Sequence, residues 1–550
     1  MRHWNASVLL IGLALALFLN GCGFFSPINM NTQADQFKAQ QTHIELEPSS
    51  LSTEENTVIE FVSPIPAALQ EKILQAQDDK MIRADAPIRV ETTEDTATAG
   101  TWIYVAATAF SSLQDEITEE QIRGLWQGKA LDNDWTHIYI QEADQAILSA
   151  RLGEPDTKTV SLISEEGATQ LAWKEPQSLF LFPFEQLNPR WKILQFDGRS
   201  IFSRPFDANT YPLAFSYAFE SESPVTVAVD TGLPYTNYDQ TKMATVLMTG
   251  VTALVRATGA KMDTEGVDFP ASTIKDVLLD ADLTHISNEV SFAEDCPLAK
   301  ADQADVMFCS RPEYFDLLTD TDVDLVELSG NHLIDWSMNA FIYSLKLYQE
   351  NGIPYYAAGD NQQDARKPYK VEINGNKLAF VGCNPAGPKT VWATDTLPGV
   401  ANCADDWLVT AVDDLVQEGY LPIVTMQHFE TYAMEPNPYQ KADFLKLSAH
   451  GAVIVSGSQA HLPQGMTFVG DHFIHFGLGN LFFDQMDIPV VGTRREFLDR
   501  HVFYDGKYIQ TELITAMLED YARPRLMTEE ERMQFLTDIF GASGWIKDEE

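Results

Sequence analysis

Apolar residues fall in short blocks along most of the chain, separated by polar stretches. The first block, Val8 to Leu19, follows the short basic start Met1-Arg2-His3. It is too brief for a permanent membrane span, which needs about 20 apolar residues. It suits the core of an export signal instead. Residues 23–50 are polar, carry few aromatics and read as a linker. From Thr57 the pattern becomes that of a folded protein. Strands are predicted at Val58–Val62, Thr101–Ala109, Thr136–Ile140, Val160–Leu162 and Ser178–Pro183. Helices are predicted over Ala67–Ala76 and Ser111–Trp126, where Thr118 and Gln121 have capping-box spacing. Strands and helices alternating in this way argue for a layered α/β domain.

A second series starts near Lys242. Strands are predicted at Ala244–Thr249, Leu325–Leu328, Leu378–Val381, Ile423–Thr425 and Ala452–Val455, then across Asp471–Gly477 and Leu481–Phe483. Helices are predicted over Ile274–Leu279 and Asn339–Glu350. Each strand runs into a polar or Gly-containing junction, where α/β proteins commonly place active groups. Beyond Glu512 helices are predicted, with Glu529-Glu530-Glu531 on a solvated cap. The expected organisation is a signal (1–22), a linker (23–50), a first α/β domain (51–240), a second (241–512) and an acidic helical extension (513–550).

Composition narrows the function. The chain has 550 residues, 45% hydrophobic, with 37 Lys+Arg against 80 Asp+Glu and a net charge of −43. The hydrophobic fraction excludes a wholly disordered acidic chain. The negative field argues against nucleic acid, whose phosphates need clustered positive charge. The apolar run ends in Leu19-Asn20-Gly21-Cys22. That order resembles a bacterial lipoprotein signal, which implies lipidation at Cys22 and a location outside the cytoplasm, tethered to the membrane. Four other cysteines remain, and export permits disulfides. Sequence-local pairing, Cys296–Cys309 and Cys383–Cys403, is favoured among the three pairings four cysteines allow.

Tyr104, Ser112, Glu119-Glu120-Gln121 and Gly124-Leu125-Trp126-Gln127-Gly128 to Trp135 resemble a lobe of the phosphate-type periplasmic binding proteins. Phe182-Pro183-Phe184-Glu185-Gln186-Leu187 and Tyr211-Pro212-Leu213-Ala214 continue the likeness. The family's phosphate-cradling turn and buried Arg are not evident. Ser111 and Ser112 are read either as donors to an anion at a helix end or as ordinary turn residues.

In the second series, Glu289, Asn331, His332, His428 and His461 sit in separate strand-end loops. Carboxylate, amide and imidazole from separate loops are what a divalent metal site requires. Two nearby metals would activate water and stabilise charge across an ester transfer; hydrogen bonding within a cleft is the alternative role. These loops resemble those of the capsule-synthesis CapA family, linked to poly-gamma-glutamate synthesis. The likeness rests on Leu328-Ser329-Gly330-Asn331-His332-Leu333-Ile334-Asp335 and Gln427-His428-Phe429-Glu430-Thr431-Tyr432. Gly477-Leu478-Gly479-Asn480-Leu481-Phe482-Phe483-Asp484 extends it.

The resemblance implies a calcineurin-like α/β sandwich, preceded by the smaller periplasmic-binding-protein-like α/β domain. It implies a divalent metal (Mn, Fe or Zn) on the five residues named above, with His332 or His428 assisting proton transfer. Gln427, Glu430, Tyr432, Asp335 and Ser458 would line the ligand cleft. Three departures weaken the metal centre. Gly250-Val251 stands where the family has Gly-Asp, Ser287-Asn288-Glu289 where it has Asn-Leu-Glu, and Gly457-Ser458-Gln459-Ala460-His461 where it has Gly-His-His-Pro-His. A centre short of an anionic ligand and two imidazoles holds metal weakly. Two functions follow. One is a tethered protein that binds an anionic envelope polymer or a phosphate-bearing ligand in capsule biology. The other is a metal-dependent phosphoester hydrolase or transferase.

Overall fold

The computed structural model describes residues 57–93, 98–129 and 135–546, with the backbone of 44–47. The signal, Cys22 and most of the expected linker lie outside the described residues. Within that linker, Ile44–Glu47 forms a strand parallel to Val225–Ala228, so the N-terminal sheets begin before residue 51. Among the described residues, no helix is long and apolar enough to cross a membrane.

The N-terminal unit is organised on Gly100–Ala109, a strand buried at nine of its ten positions. Its first half pairs with Ala214–Glu220 and its second with Ser178–Pro183. Continuous apolar character suits a strand covered on both faces. The helix expected over Ser111–Trp126 is shorter, Glu119–Trp126, because Thr118 and Gln121 close a reciprocal cap at its start. Ser112 belongs to the preceding turn: its N–H donates to Ala109 O, and its hydroxyl accepts from the Gln114 N–H.

The C-terminal unit is a sandwich of two sheets. In the first, Tyr355–Tyr356, Leu325–Glu327, Leu283–Asn288 and Met243–Thr252 run parallel, and Arg495–Tyr504, Lys507–Glu519 and Arg523–Leu526 follow antiparallel. In the second, Asn376–Cys383, Leu421–Met426, Ile454–Gly457 and His472–His475 are parallel. Val246, Leu283 and Phe497 of the first sheet pack against Phe380, Ile423 and Phe473 of the second. Helix Met338–Glu350 covers the outside of the first sheet, and helices Trp407–Gln417 and Pro438–Ala449 cover the second. The α/β sandwich implied by the loop motifs is therefore present, with helices on both outer faces.

The region after Glu512 differs from expectation. Lys507–Glu519 continues as a 13-residue strand paired with Arg495–Tyr504, since backbone pairing along the long neighbouring strand outweighs local helix signals. The terminal helix, Glu529–Ala542, starts at the Thr528/Glu531 capping box and buries Phe535, Leu536, Ile539 and Phe540. Its acidic first turn is not simply solvated, because Arg525 donates two hydrogen bonds to Glu531 at 2.7 and 2.8 Å. This helix also joins the two units: Arg532 donates twice to Asp115, at 2.7 and 2.9 Å. Asp115 accepts from Lys192 as well, at 2.7 Å.

Cys296 is bonded to Cys309, and Cys383 to Cys403. The first bridge closes a loop of sequence separation 13, for which chain entropy predicts stabilisation of about 3 kcal/mol. Replacing both Cys296 and Cys309 by Ser should lower the melting temperature, and reductant should lower that of the parent but shift the double variant less. Equal reductant sensitivity in both proteins would show that this bridge contributes nothing.

A candidate amide-filled site at the sandwich edge

Parallel strands bring their carboxyl ends to one edge of the sandwich. Leu283–Asn288 delivers Glu289, Leu325–Glu327 leads into Ser329 to His332, Leu421–Met426 delivers Gln427, and Ile454–Gly457 delivers Ser458 and Gln459. Two glycines allow the loops to close. A Cβ on Gly330 would lie 2.6 Å from the Glu289 carbonyl oxygen, and one on Gly457 would lie 1.9 Å from that of Phe476. Such approaches leave room for glycine alone.

At the centre is the Gln427 carboxamide. Its Nε2 donates to Asn331 Oδ1 at 2.8 Å, to Glu289 Oε1 at 3.2 Å and to the Gln459 side-chain oxygen. Gln459 Nε2 donates to the same Glu289 oxygen at 3.4 Å, and Ser329 Oγ approaches Gln427 Oε1 at 3.4 Å. The Glu289 carboxylate sets this orientation, since a flipped amide would turn its oxygen toward it, and the Asn331 and Gln459 amides are oriented to match. Gln427 is only 1% exposed, so it braces the site from inside and does not line a cleft. Below it lies Glu327, fully buried, accepting from Ser329 at 2.5 Å and Ser458 at 3.1 Å. Ser458 is thereby turned inward too, contrary to its expected place in the cleft. Burial pushes the Glu327 carboxyl above the usual range, although the hydroxyls that donate to it oppose the rise.

The three histidines go separate ways. His332 Nδ1 lies 2.6 Å from Asp335 Oδ2. Burial alone would lower this imidazole, but the Asp335 bond and the charges of Glu289, Asp335 and Glu430 hold it above its ordinary value. His428 Nε2 lies 3.2 Å from Asp443 on the helix behind it, and burial outweighs that carboxylate to lower its pKa. His461 Nδ1 lies 2.8 Å from Asn480 Oδ1, with its ring against Phe483. The outer rim is formed by Glu430, which accepts from the Tyr432 hydroxyl, and by half-exposed Phe429.

Sequence reasoning missed two residues. Arg256 pairs with Asp484 and packs over Phe308 and Phe483, with centroid distances of 5.4 and 4.9 Å. Phe308 in turn contacts the His332 ring at 4.9 Å, so it lies between His332 and the Arg256–Asp484 pair. No local pattern marks Arg256. Glu327 had a signal: it is a carboxylate inside the apolar strand run Leu325-Val326-Glu327-Leu328.

Residues 245–485 match the family model described as Bacterial capsule synthesis protein PGA_cap. This part of the chain is similar to that family. A stretch of 190 residues is 25% identical to the Capsule biosynthesis protein CapA of Bacillus anthracis, covering 34% of this chain and 46% of that protein. Another of 177 residues is 22% identical to the PGA biosynthesis protein CapA of Bacillus subtilis (strain 168), covering 32% and 47%. The chain thus spans about half the length of the curated relatives it matches. An ABC-type phosphate transport receptor from Vibrio cholerae aligns at 12% identity over 32% of this chain and 88% of that one, with a TM-score of 0.24.

The PGA_cap region does not fit the metal centre that its loop motifs imply. Of the five expected ligands, Glu289 and Asn331 meet, but the Gln427 N–H group already takes the place beside their oxygens that a cation would occupy. His332 is turned to Asp335, and His428 is held by Asp443, away from the Gln427 cluster. Among the described residues, no group of three or more His, Cys, Asp or Glu is placed to hold a metal ion. A cation entering here would have to displace Gln427 and break its bonds, with one carboxylate, Glu289, to compensate.

Two outcomes follow. Adding Mn, Fe or Zn to chelator-treated protein should leave the melting temperature unchanged, whereas a stoichiometric ion would raise it and overturn the amide-filled reading. Glu327→Gln should keep both serine bonds and remove the ionisable group. A carboxyl whose folded pKa is raised disfavours folding once pH exceeds its unfolded value of about 4.5. The variant should match the parent near pH 4 and become progressively more stable than it toward pH 8, as read by calorimetry; a constant gap would show that Glu327 is not the group responsible.

Proposed function

We propose that the chain is an envelope protein of capsule or anionic-polymer biology that binds its ligand at the sandwich edge without hydrolysing it. The observation that carries this reading is the Gln427 carboxamide, whose N–H groups occupy the acceptors a catalytic cation would need. The family of residues 245–485 supports the capsule context. In this reading Cys22 carries a lipid anchor and the folded chain lies outside the cytoplasm. The region of about 51–240 recognises a small anion or docks a partner, and the chain from 241 onward forms the polymer-binding unit.

An anionic group entering here would be met by His332, set among the carboxylates of Glu289, Asp335 and Glu430. His332 is held toward its protonated form, and Phe308 separates it from the Arg256–Asp484 ion pair. Phe429 and Tyr432 offer apolar surface to a polymer backbone, while Asp335 orients His332. The alternative, a metal-dependent phosphoester hydrolase or transferase with His332 or His428 moving the proton, would require Gln427 to move aside.

The discriminating experiment measures binding of poly-γ-glutamate to the full chain as a function of pH, beside hydrolysis of bis-p-nitrophenyl phosphate with added Mn. Binding should be strongest at about pH 5–6, where the polymer carboxylates are ionised and His332 is protonated, and weaken as pH rises and the imidazole loses its charge. His332→Ala should weaken binding about tenfold, in line with losing one charged hydrogen bond, and flatten the pH profile. Metal-dependent turnover abolished by His332→Ala would establish the enzyme instead.

A further inference from the structure

A cavity of about 630 Å3 lies where the N-terminal unit meets the C-terminal sandwich, remote from the Gln427 cluster. Its walls come from both units: Ile193 and Lys192 on one side, and Val277, Leu513 and the strand around Gln510 on the other. The volume is within the range of small-molecule sites, about 300–1,000 Å3. On the sandwich side, Arg500 stands directly opposite Glu512 across the antiparallel pair, and Gln510 is two residues along from Glu512. Directly opposed residues, and those two apart on one strand, share a face. The three polar side chains therefore stand together.

Each carries a buried polar atom without a hydrogen-bond partner among the described residues: Arg500 Nε, Glu512 Oε2 and Gln510 Oε1. Gln510 is 2% exposed. Buried polar groups are almost always satisfied, and leaving one unmet costs about 1–3 kcal/mol. Asp276 adds a carboxylate to the wall, and Arg500 Nη1 lies 3.7 Å from Glu512 Oε2. Lys192 and Arg532 are held by Asp115, and Arg500 donates through its terminal nitrogen to Asp280.

The three atoms differ in hydrogen-bonding sense: Arg500 Nε donates, Glu512 Oε2 accepts beside Arg500 Nη1 at 3.7 Å, and Gln510 offers a carboxamide. An anion that satisfied Arg500 Nε would set its lone pairs against Glu512 and Gln510. A cation would do the reverse to Arg500. A hydroxyl both donates and accepts, so adjacent hydroxyls can satisfy all three, while C–H faces pack on Ile193, Val277 and Leu513. From this arrangement we propose that the cavity between the two units is a binding site for a small polyhydroxylated ligand, of monosaccharide or cyclitol type. It is separate from the polymer-binding edge, and its occupancy ties the two units together.

The test is calorimetric titration of the full chain with D-glucose, N-acetyl-D-glucosamine and myo-inositol, with inorganic phosphate and glycine as controls. At least one polyol should bind with one-to-one saturation and raise the melting temperature, and neither control should. Gln510→Leu and Arg500→Lys, which keeps the charge but removes Nε, should each weaken that binding about tenfold. The second variant maintains the test if the first does not fold. Absence of saturable heat from all three polyols would overturn the proposal, leaving a hydrated cavity only. So would saturation by phosphate or glycine in their place, or undiminished polyol binding by both variants.

Discussion

The strand Met243–Thr252 is buried at all ten positions, and the C-terminal architecture depends on that burial. One face meets the apolar interior between the sheets through Val246 and Met248, and the other meets the helical layer through Leu247. Its neighbours on the two sides run in opposite senses, Leu283–Asn288 parallel and Arg495–Tyr504 antiparallel. The parallel side places the Glu289 and Asn331 loops at the strand's carboxyl end, and the antiparallel side carries Arg500 toward the N-terminal unit. One buried strand thus positions both the sandwich edge and the wall of the cavity between units.

At the edge, the decisive physical fact is the sign of the hydrogen bonds. Glu289, Asn331 and Gln459 present oxygen atoms to one point, an arrangement that attracts a cation. Gln427 places a carboxamide nitrogen there instead. The replacement is neutral, so it satisfies the acceptors without the charge that would polarise a phosphoester or activate water. Glu327 beneath extends the same logic: serine hydroxyls donate to it, and burial favours its neutral form. Around it, His332 faces Asp335 and Arg256 faces Asp484.

The two units do not meet by apolar contact alone. Phe110 packs on Phe468 and Trp545, with centroid distances of 5.2 and 5.8 Å, beside the Lys192–Asp115–Arg532 cluster. Three charged groups with mutual hydrogen bonds resist separation better than isolated surface pairs, which are individually weak. The terminal helix therefore fastens the N-terminal unit to the sandwich.

Much of this was legible along the chain. Apolar runs such as Thr101–Ala109 and Ser178–Pro183 identified buried strands, because a strand covered on both faces must be apolar throughout. The Asn331-His332-x-x-Asp335 and Gly479-Asn480 motifs pointed to the sandwich. Three things needed the tertiary structure. A carboxamide reads the same in sequence whether it lines a cleft or fills one, so the direction of Gln427 was invisible. Lys507–Glu519 became a strand because a long neighbour offered its backbone bonds, a choice made between segments and not within one. The closeness of Arg500, Glu512 and Gln510 to Lys192 depends on two units packing together, and residues about 320 positions apart leave no local trace of that contact.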